Sequence, residues 1–343
     1  MASPLPLAGT REAQLSARGL GIGYQSKRGQ PKVLAEGLNL DLRRGTLTCL
    51  LGPNGCGKST LMRTLAGLQE PLAGEVALLG DTSLLGQPRR RARALSLVLT
   101  RLGGGGLLTA RETVALGRHP HTNWSGQLGA VDLERVEWAM RVTRTQALAG
   151  RTLATLSDGE RQRVMIARAL AQETPVVLLD EPTAFLDLPH RIEILHQLRE
   201  LAHGCELALL LSSHDLELCL QTADTLWLME PGGAFHSGVP EDLVLDGSIA
   251  RVFSRDTVQF DPSTGAFTTR EEARARARVS GYPLVVRWVE NALRRHGIAP
   301  TEDPAEAQFE IEARARDTYI MQRAGSEPVE VSTIQALLER LPL

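Results

Sequence analysis

Apolar positions along the chain fall into distinct textures. From Leu20 to Leu51 short apolar segments are broken by Gly and Pro, as in "KVLAEGLNLDL" and "GTLTCLL", and read as β-strands. "GEVALLG" predicts a further strand, after a helix that follows Lys58. From about 101 to 155 the spacing turns helical. In "VDLERVEWAMRVTRTQALA", Val131, Leu133, Val136 and Met140 fall at helical intervals, so we expect an inserted helical subdomain. "VVLLD" and "ELALLLSS" are continuous apolar runs, suited to strands buried on both faces of a parallel sheet. Between them, "HRIEILHQLRELAHG" reads as the helical crossover that parallel strands require. The pattern is that of an α/β fold, with no internal repeat.

Beyond Phe260 the texture changes again. "PLVVRWVENALRRHG" reads as an amphipathic helix with Val285, Trp288, Val289 and Leu293 on one side. "AQFEIEAR" and "DTYIMQRA" read as a strand pair, and "STIQALLERL" as a last helix opened by a Ser332…Gln335 capping box. Leu284, Ile334, Leu337, Leu338 and Leu341 would complete a small core. We therefore expect a leader at 1–15, a main domain at 16–260 and a small α/β accessory domain at 261–343, the last without a catalytic motif.

Composition narrows the function classes. The 343 residues are 43% hydrophobic, yet no apolar run approaches the roughly 20 residues of a membrane helix. "MASPLPLAGTREAQ" lacks the basic start and apolar core of a signal peptide. Cysteines 49, 56, 205 and 219 form no close pair or metal spacing, so reduced thiols in a cytosolic protein are expected. A net charge of −2 gives no global field for nucleic acid. The "PRRRARA" run, Arg89 to Arg93, lacks interleaved aromatics and reads as a solvated helix face.

Chemistry concentrates in a few stretches. "GPNGCGKST" covers Gly52, Pro53, Asn54, Gly55, Cys56, Gly57, Lys58, Ser59 and Thr60, between an apolar strand and a helix. Its glycines let successive backbone N–H groups turn toward phosphate oxygens at the helix's positive end. Lys58 would reach the terminal phosphates, and the Ser59 hydroxyl would sit on magnesium. "VVLLDEPTAFLD" ends a strand in two carboxylates. Asp180 is placed to hold magnesium through water, and Glu181 to polarise an attacking water. His214 ends the next apolar strand, in "LSSHD". In "LSDGERQRVMIARALAQ", Ser157 and Gly159 open a long helix and form a second anion site. Two anion sites in one chain make sense if each nucleotide is shared with another copy.

At these residues the chain resembles the ATP-binding cassette (ABC) ATPases. Leu156-Ser157-Asp158-Gly159-Glu160 stands where that family has its LSGGQ signature, and the resemblance covers about 18–250. It implies a P-loop NTPase cassette with a parallel-rich core sheet, an N-terminal β subdomain and the inserted helical subdomain. It also implies ATP and Mg2+ as cofactors, and a head-to-tail dimer in which one copy's signature, with Glu160, closes on the other's nucleotide loop. Tyr24 matches the aromatic that stacks on adenine. Leu186-Asp187 match the loop that crosses the dimer interface, and His214 the switch histidine. One departure stands out. Thr100 or Arg101 occupies the place of the glutamine that joins magnesium and the membrane partner.

"TARETVALGRHPHTNWSG", "DEPTAFLDLPHRIEILHQLRELA" and "SSHDLELCLQTADTLWLM" are similar to the ATP-binding subunits of iron-chelate, haem and cobalamin importers. That similarity implies an integral membrane permease, an extracytoplasmic substrate-binding protein and a peripheral position on the cytoplasmic face of the membrane. Two histidines, His119 and His121, are too few ligands for iron and read as a turn. The separate ATPase of an exporter remains an alternative. So does a soluble cassette of DNA repair or translation, although the insertion of about 55 residues is short for a repair coiled coil and the chain carries one cassette.

Overall fold

A computed structural model describes residues 12–25, 30–99, 106–124, 126–184, 186–254, 257–269, 273–323 and 326–341. Most of the expected leader, and both Thr100 and Arg101, lie outside the described residues. The chain opens with β1 (Ala13–Tyr24), β2 (Lys32–Arg43) and β3 (Thr46–Leu51), which leads into helix α1 (Lys58–Leu65). β4 (Ala73–Leu78), α2 (Pro88–Ala94) and β5 (Leu95–Val98) follow. Next come the α-helices α3 (Ala110–Ala115), α4 (Ala130–Val142) and α5 (Asp158–Ala171). β6 (Val176–Leu179), α6 (Leu188–Gly204), β7 (Ala208–Ser212), α7 (Leu216–Thr222), β8 (Thr225–Met229) and β9 (Phe235–Gly238) return to strand–helix alternation. Two short helices, α8 (Pro240–Leu245) and α9 (Ser248–Phe253), end this run.

These elements form two sheets. β2-β1-β4 is antiparallel, and the six-stranded central sheet has the order β5-β6-β7-β3-β8-β9. Its strands are parallel except for the edge strand β9. Every residue of β3, β6 and β7 is buried. Alternate side chains serve opposite cores. Leu47, Leu51, Leu179, Leu209 and Leu211 pack with the helices α5 and α6, whereas Leu50, Leu178, Leu210 and Trp227 pack with Leu15, Leu42 and Leu61. Burial on both faces is why these runs show no alternation in sequence. It also aligns the carboxyl ends of β6, β7 and β3 side by side, where ligands of parallel sheets bind.

Two expectations need correction in detail. Helix α4 forms, with Val136 and Met140 fully buried, but Val131 and Leu133 are 63% and 42% exposed. In "PRRRARA", Arg91 donates to the carbonyls of Gly67 and Leu85 and Arg93 to that of Pro120, so this face is only partly solvated.

A hairpin, β10 (Val258–Asp261) and β11 (Ala266–Thr269), precedes the last elements. These are β12 (Ala275–Gly281), α10 (Pro283–Arg295), β13 (Ile298–Pro300), β14 (Phe309–Ala315), β15 (Thr318–Arg323), β16 (Val329–Val331) and α11 (Ile334–Glu339). They build a five-stranded sheet of order β13-β12-β14-β15-β16, in which the expected pair β14–β15 is antiparallel. Val285, Val289, Leu293, Leu337 and Leu341 pack on its inner side with Phe309, Ile311 and Tyr319. Leu284 and Trp288 do not join them; both are exposed. The cap of α11 is Thr333, whose hydroxyl accepts from the Ala336 N–H, rather than Ser332. The chain thus divides into two compact units. One holds the described residues to Ser254 together with Phe260–Phe267; the other holds 257–259 and the described residues from Thr268 on. No helix among the described residues is long and apolar enough to cross a membrane.

Candidate functional site

The loop between β3 and α1 is built around close backbone approaches. A Cβ on Gly52 would sit 2.5 Å from the Met229 carbonyl oxygen at the end of β8, so no larger residue fits where the loop leaves the sheet. Gly57 caps α1 with φ +113°, a conformation that L side chains rarely adopt. Lys58 is 6% exposed, and its Nζ donates to the carbonyls of Gly52 (2.7 Å) and Pro53 (3.3 Å). Burial lowers the Lys58 pKa, while Cys56, Glu181 and Asp180 oppose that shift. The loop therefore carries a cation under the N-terminal end of a helix, the arrangement a polyphosphate needs.

One hydroxyl ties down the end of β6, holding the Asp180 carboxylate and the Glu181 backbone. Ser212, at the end of β7, donates through Oγ to Asp180 Oδ1 at 2.7 Å and accepts from the Glu181 N–H at 2.9 Å. Ser59 Oγ also points to Asp180 Oδ1, at 3.4 Å. Glu181 has φ +49°, a left-handed backbone uncommon for a residue with a side chain. Such strain persists where the surroundings over-determine it. Its Oε1 is hydrogen-bonded to His214 Nε2. The structure thus brings together the loop, Asp180, Glu181 and His214. Tyr24, half exposed, joins them from β1 through a 2.8 Å bond between its hydroxyl and that of Thr60.

The signature residues form a group of their own at the start of α5. Ser157 Oγ accepts from the Glu160 N–H at 3.2 Å, and Glu160 Oε2 accepts from the Ser157 N–H at 2.8 Å. This reciprocal box caps the helix. The Ser157 N–H is the main cause that lowers the Glu160 pKa. A Cβ on Gly159 would lie 2.7 Å from Leu186 Cδ2, so the signature rests on the loop after Glu181. Asp187 caps α6 by accepting from the His190 N–H at 3.2 Å. His121 has its Nε2 2.8 Å from the carbonyl of Gln172, just beyond the end of α5.

Glu181 and His214 open onto a cavity of about 440 Å³, lined also by Thr183, Arg191, Asp215 and Phe267. Sequence reasoning missed Ser212 and Arg191. Ser212 is the last residue of an apolar strand, and a fully buried hydroxyl there must find polar partners. Arg191 donates from Nε to the Leu186 carbonyl at 2.7 Å and faces Asp215 at 3.7 Å, which ties the loop after Glu181 to the start of α7.

Comparison with known proteins agrees with this geometry. The family described as ABC transporter matches residues 35–184, and that described as iron ABC transporter C-terminal domain matches 274–342. The chain is 39% identical over 244 residues to an achromobactin transport ATP-binding protein of Dickeya dadantii, which spans 71% of this chain and 88% of that protein. It is 37% identical over 258 residues to a ferric enterobactin transport ATP-binding protein of Escherichia coli, with 74% and 92% covered. Among solved structures, cbiO1 of Clostridium perfringens, part of an ABC transporter complex, is similar with a TM-score of 0.60 at 25% identity. That match covers 70% of this chain and 93% of the other. With its nucleotide loop, paired carboxylates and signature in these places, the chain belongs to the ATP-binding cassette ATPases of the ABC transporter family.

Proposed function

We propose that this chain is the ATP-hydrolysing subunit of an importer that takes up an iron chelate or a similar cofactor. The observation that carries the chemistry is the Ser212 hydroxyl, which holds Asp180 and the backbone of Glu181 at once. Ser59 and Asp180 offer magnesium one hydroxyl and one carboxylate. That small protein ligand set suits an ion that keeps waters and takes phosphate oxygens. When bound, magnesium would neutralise charge on the phosphates. Lys58 binds the terminal phosphates, Glu181 accepts the proton of the attacking water, and His214 orients the Glu181 carboxylate. Tyr24 stacks on the adenine.

Ser157, Gly159, Glu160 and Asp187 complete the site across a head-to-tail dimer of two copies. The cassettes work at the cytoplasmic face of the membrane, on an integral permease served by an extracytoplasmic binding protein. The cargo class is supported by the relatives' siderophore transport names and by the iron-type C-terminal match. Of residues 261–343, the part from Thr268 on acts as an accessory domain that regulates the transporter and carries out no chemistry.

The decisive measurement is ATP turnover by Glu181→Gln. We expect ATP binding within a few-fold of the parent and turnover lower by about 10²–10⁴. The same variant should dimerise with ATP, and a second change, Ser157→Arg, should block that. Turnover at the parent rate would remove Glu181 from the chemistry. Dimerisation indifferent to ATP and to Ser157→Arg would overturn the shared site. Co-purification with a permease, and identification of its cargo, tests the importer assignment.

A further inference from the structure

The catalytic cavity has a wall made by neither the nucleotide loop nor the signature. Gly265, Ala266 and Phe267, from the hairpin that follows α9, line the same cavity of about 440 Å³ as Glu181 and His214. The wall is firmly built. Asp261 Oδ1 accepts from the Ser263 N–H at 2.9 Å, Asp261 Oδ2 from the Thr264 hydroxyl at 3.0 Å, and the Asp261 carbonyl from the Gly265 N–H at 2.8 Å. Gly265, at φ +69°, supplies the left-handed step that closes the turn. Phe267 meets Phe260 and Phe253 edge to face, with ring centroids 5.6 and 6.2 Å away. Phe260 is itself buried in the core of the first unit. The hairpin turn is therefore anchored on the cassette, while Phe267 stays 43% exposed and contributes to the cavity lining.

We propose that this turn, and the Phe267 ring above all, is a positioning wall of the hydrolytic site, limiting the solvent volume beside the Glu181–His214 pair. The inference rests on the assignment of that pair to hydrolysis. A carboxylate that must orient a single water is less effective when the cavity around it widens to bulk solvent. The geometry separates this role from nucleotide binding, since Lys58 and the glycine loop take no part in the wall.

Full-length Phe267→Ala and Phe267→Leu test this by steady-state ATP hydrolysis. The alanine variant is expected to lower kcat by about three- to tenfold, a share of a positioned base's effect, with KM for ATP within twofold of the parent. The leucine variant, which restores bulk, should recover at least half of the loss. A kcat for Phe267→Ala within twofold of the parent overturns the wall. So does a leucine variant as slow as the alanine one, or a rise in KM that accounts for the whole effect. These results are distinguishable from failure of the hydrolytic assignment, which Glu181→Gln tests by itself.

Discussion

The six-stranded and the five-stranded sheet solve the same packing problem in opposite ways. In the central sheet of the first unit, β3, β6 and β7 are buried at every position, and each alternate residue feeds a different core. In the second unit β14 alternates, with Phe309, Ile311 and Ala313 inside and Glu310, Glu312 and Arg314 outside. Its outer face is laced with exposed ion pairs, Arg314–Glu312 at 3.0 Å and Arg278–Glu310 at 3.9 Å. Pairs of this kind contribute only about 0–1 kcal/mol each. The difference explains where the polar groups of the candidate site gather. Strands closed on both faces leave their ends as the place where polar groups can gather, and there a rigid sheet fixes Asp180, Ser212 and His214. The half-covered sheet spreads its charges along a wet face, where no residue is forced against another.

Cutting the chain should break this comparison most severely. Ending it after Asp256 removes Phe260 from the first core, a loss of about 3–5 kcal/mol that should yield little folded protein. Ending it after Thr269 keeps Phe260 and Phe267, and should leave a soluble, hydrolysing cassette; equal yields from both cuts would contradict this. Next come single core changes. Leu210→Ala in β7 should cost about 2–5 kcal/mol and lower turnover at elevated temperature, because that strand carries Ser212. Ile311→Ala in β14 should cost a similar amount, yet lower only a transition of the second unit in calorimetry, with ATP hydrolysis kept.

Acid should act more gently, and on the first unit's helix caps. Glu112, Asp132 and Glu160 each close a capping turn and have pKa values lowered chiefly by backbone N–H donors. A lowered folded-state pKa means stability that is present above the unfolded carboxylate pKa of about 4 and lost as pH falls through the folded value. Helical signal from the cassette should therefore decline below about pH 4, and Glu112→Gln should flatten that decline. The smallest effect belongs to the wet face. Glu312→Gln should change stability by no more than about 0.5 kcal/mol in thermal melts.

Much of the cassette was legible because its rules are local. Continuous apolar runs marked the central strands, and glycine spacing marked the nucleotide loop. Two carboxylates directly after a buried strand marked the corner that we propose for hydrolysis. What stayed hidden depends on partners far away in sequence. Ser212 looks like any strand end until Asp180 and Glu181 arrive beside it from β6. Trp288 shares the helix of Val285, Val289 and Leu293, but lies roughly 60–100° around the axis from the first two. A helix packed on one sheet buries only a narrow stripe, so Trp288 ends outside it. Val131 fails likewise, because α4 buries the side that carries Val136 and Met140. Ser332 and Thr333 are adjacent hydroxyls, and only the geometry of the turn chooses Thr333.

The place of β3 in the central sheet also fixes an order of events on the ribosome. Its neighbours are β7 and β8, with Thr48 opposite both Leu210 and Thr225, and the first glycine of its loop passes where a side chain would collide with the Met229 carbonyl. Roughly 180 residues must therefore be made after β3 before its nucleotide loop can be seated. At about 5–20 residues per second that is a wait of roughly 9–36 s. During that wait a wholly apolar strand has no final partner, a period of exposure that favours aggregation unless the nascent chain is shielded. The stretch 35–184 that carries the family match ends before β7 and β8 begin. Expressed alone, it would hold the nucleotide loop's sequence without the strands that give it shape.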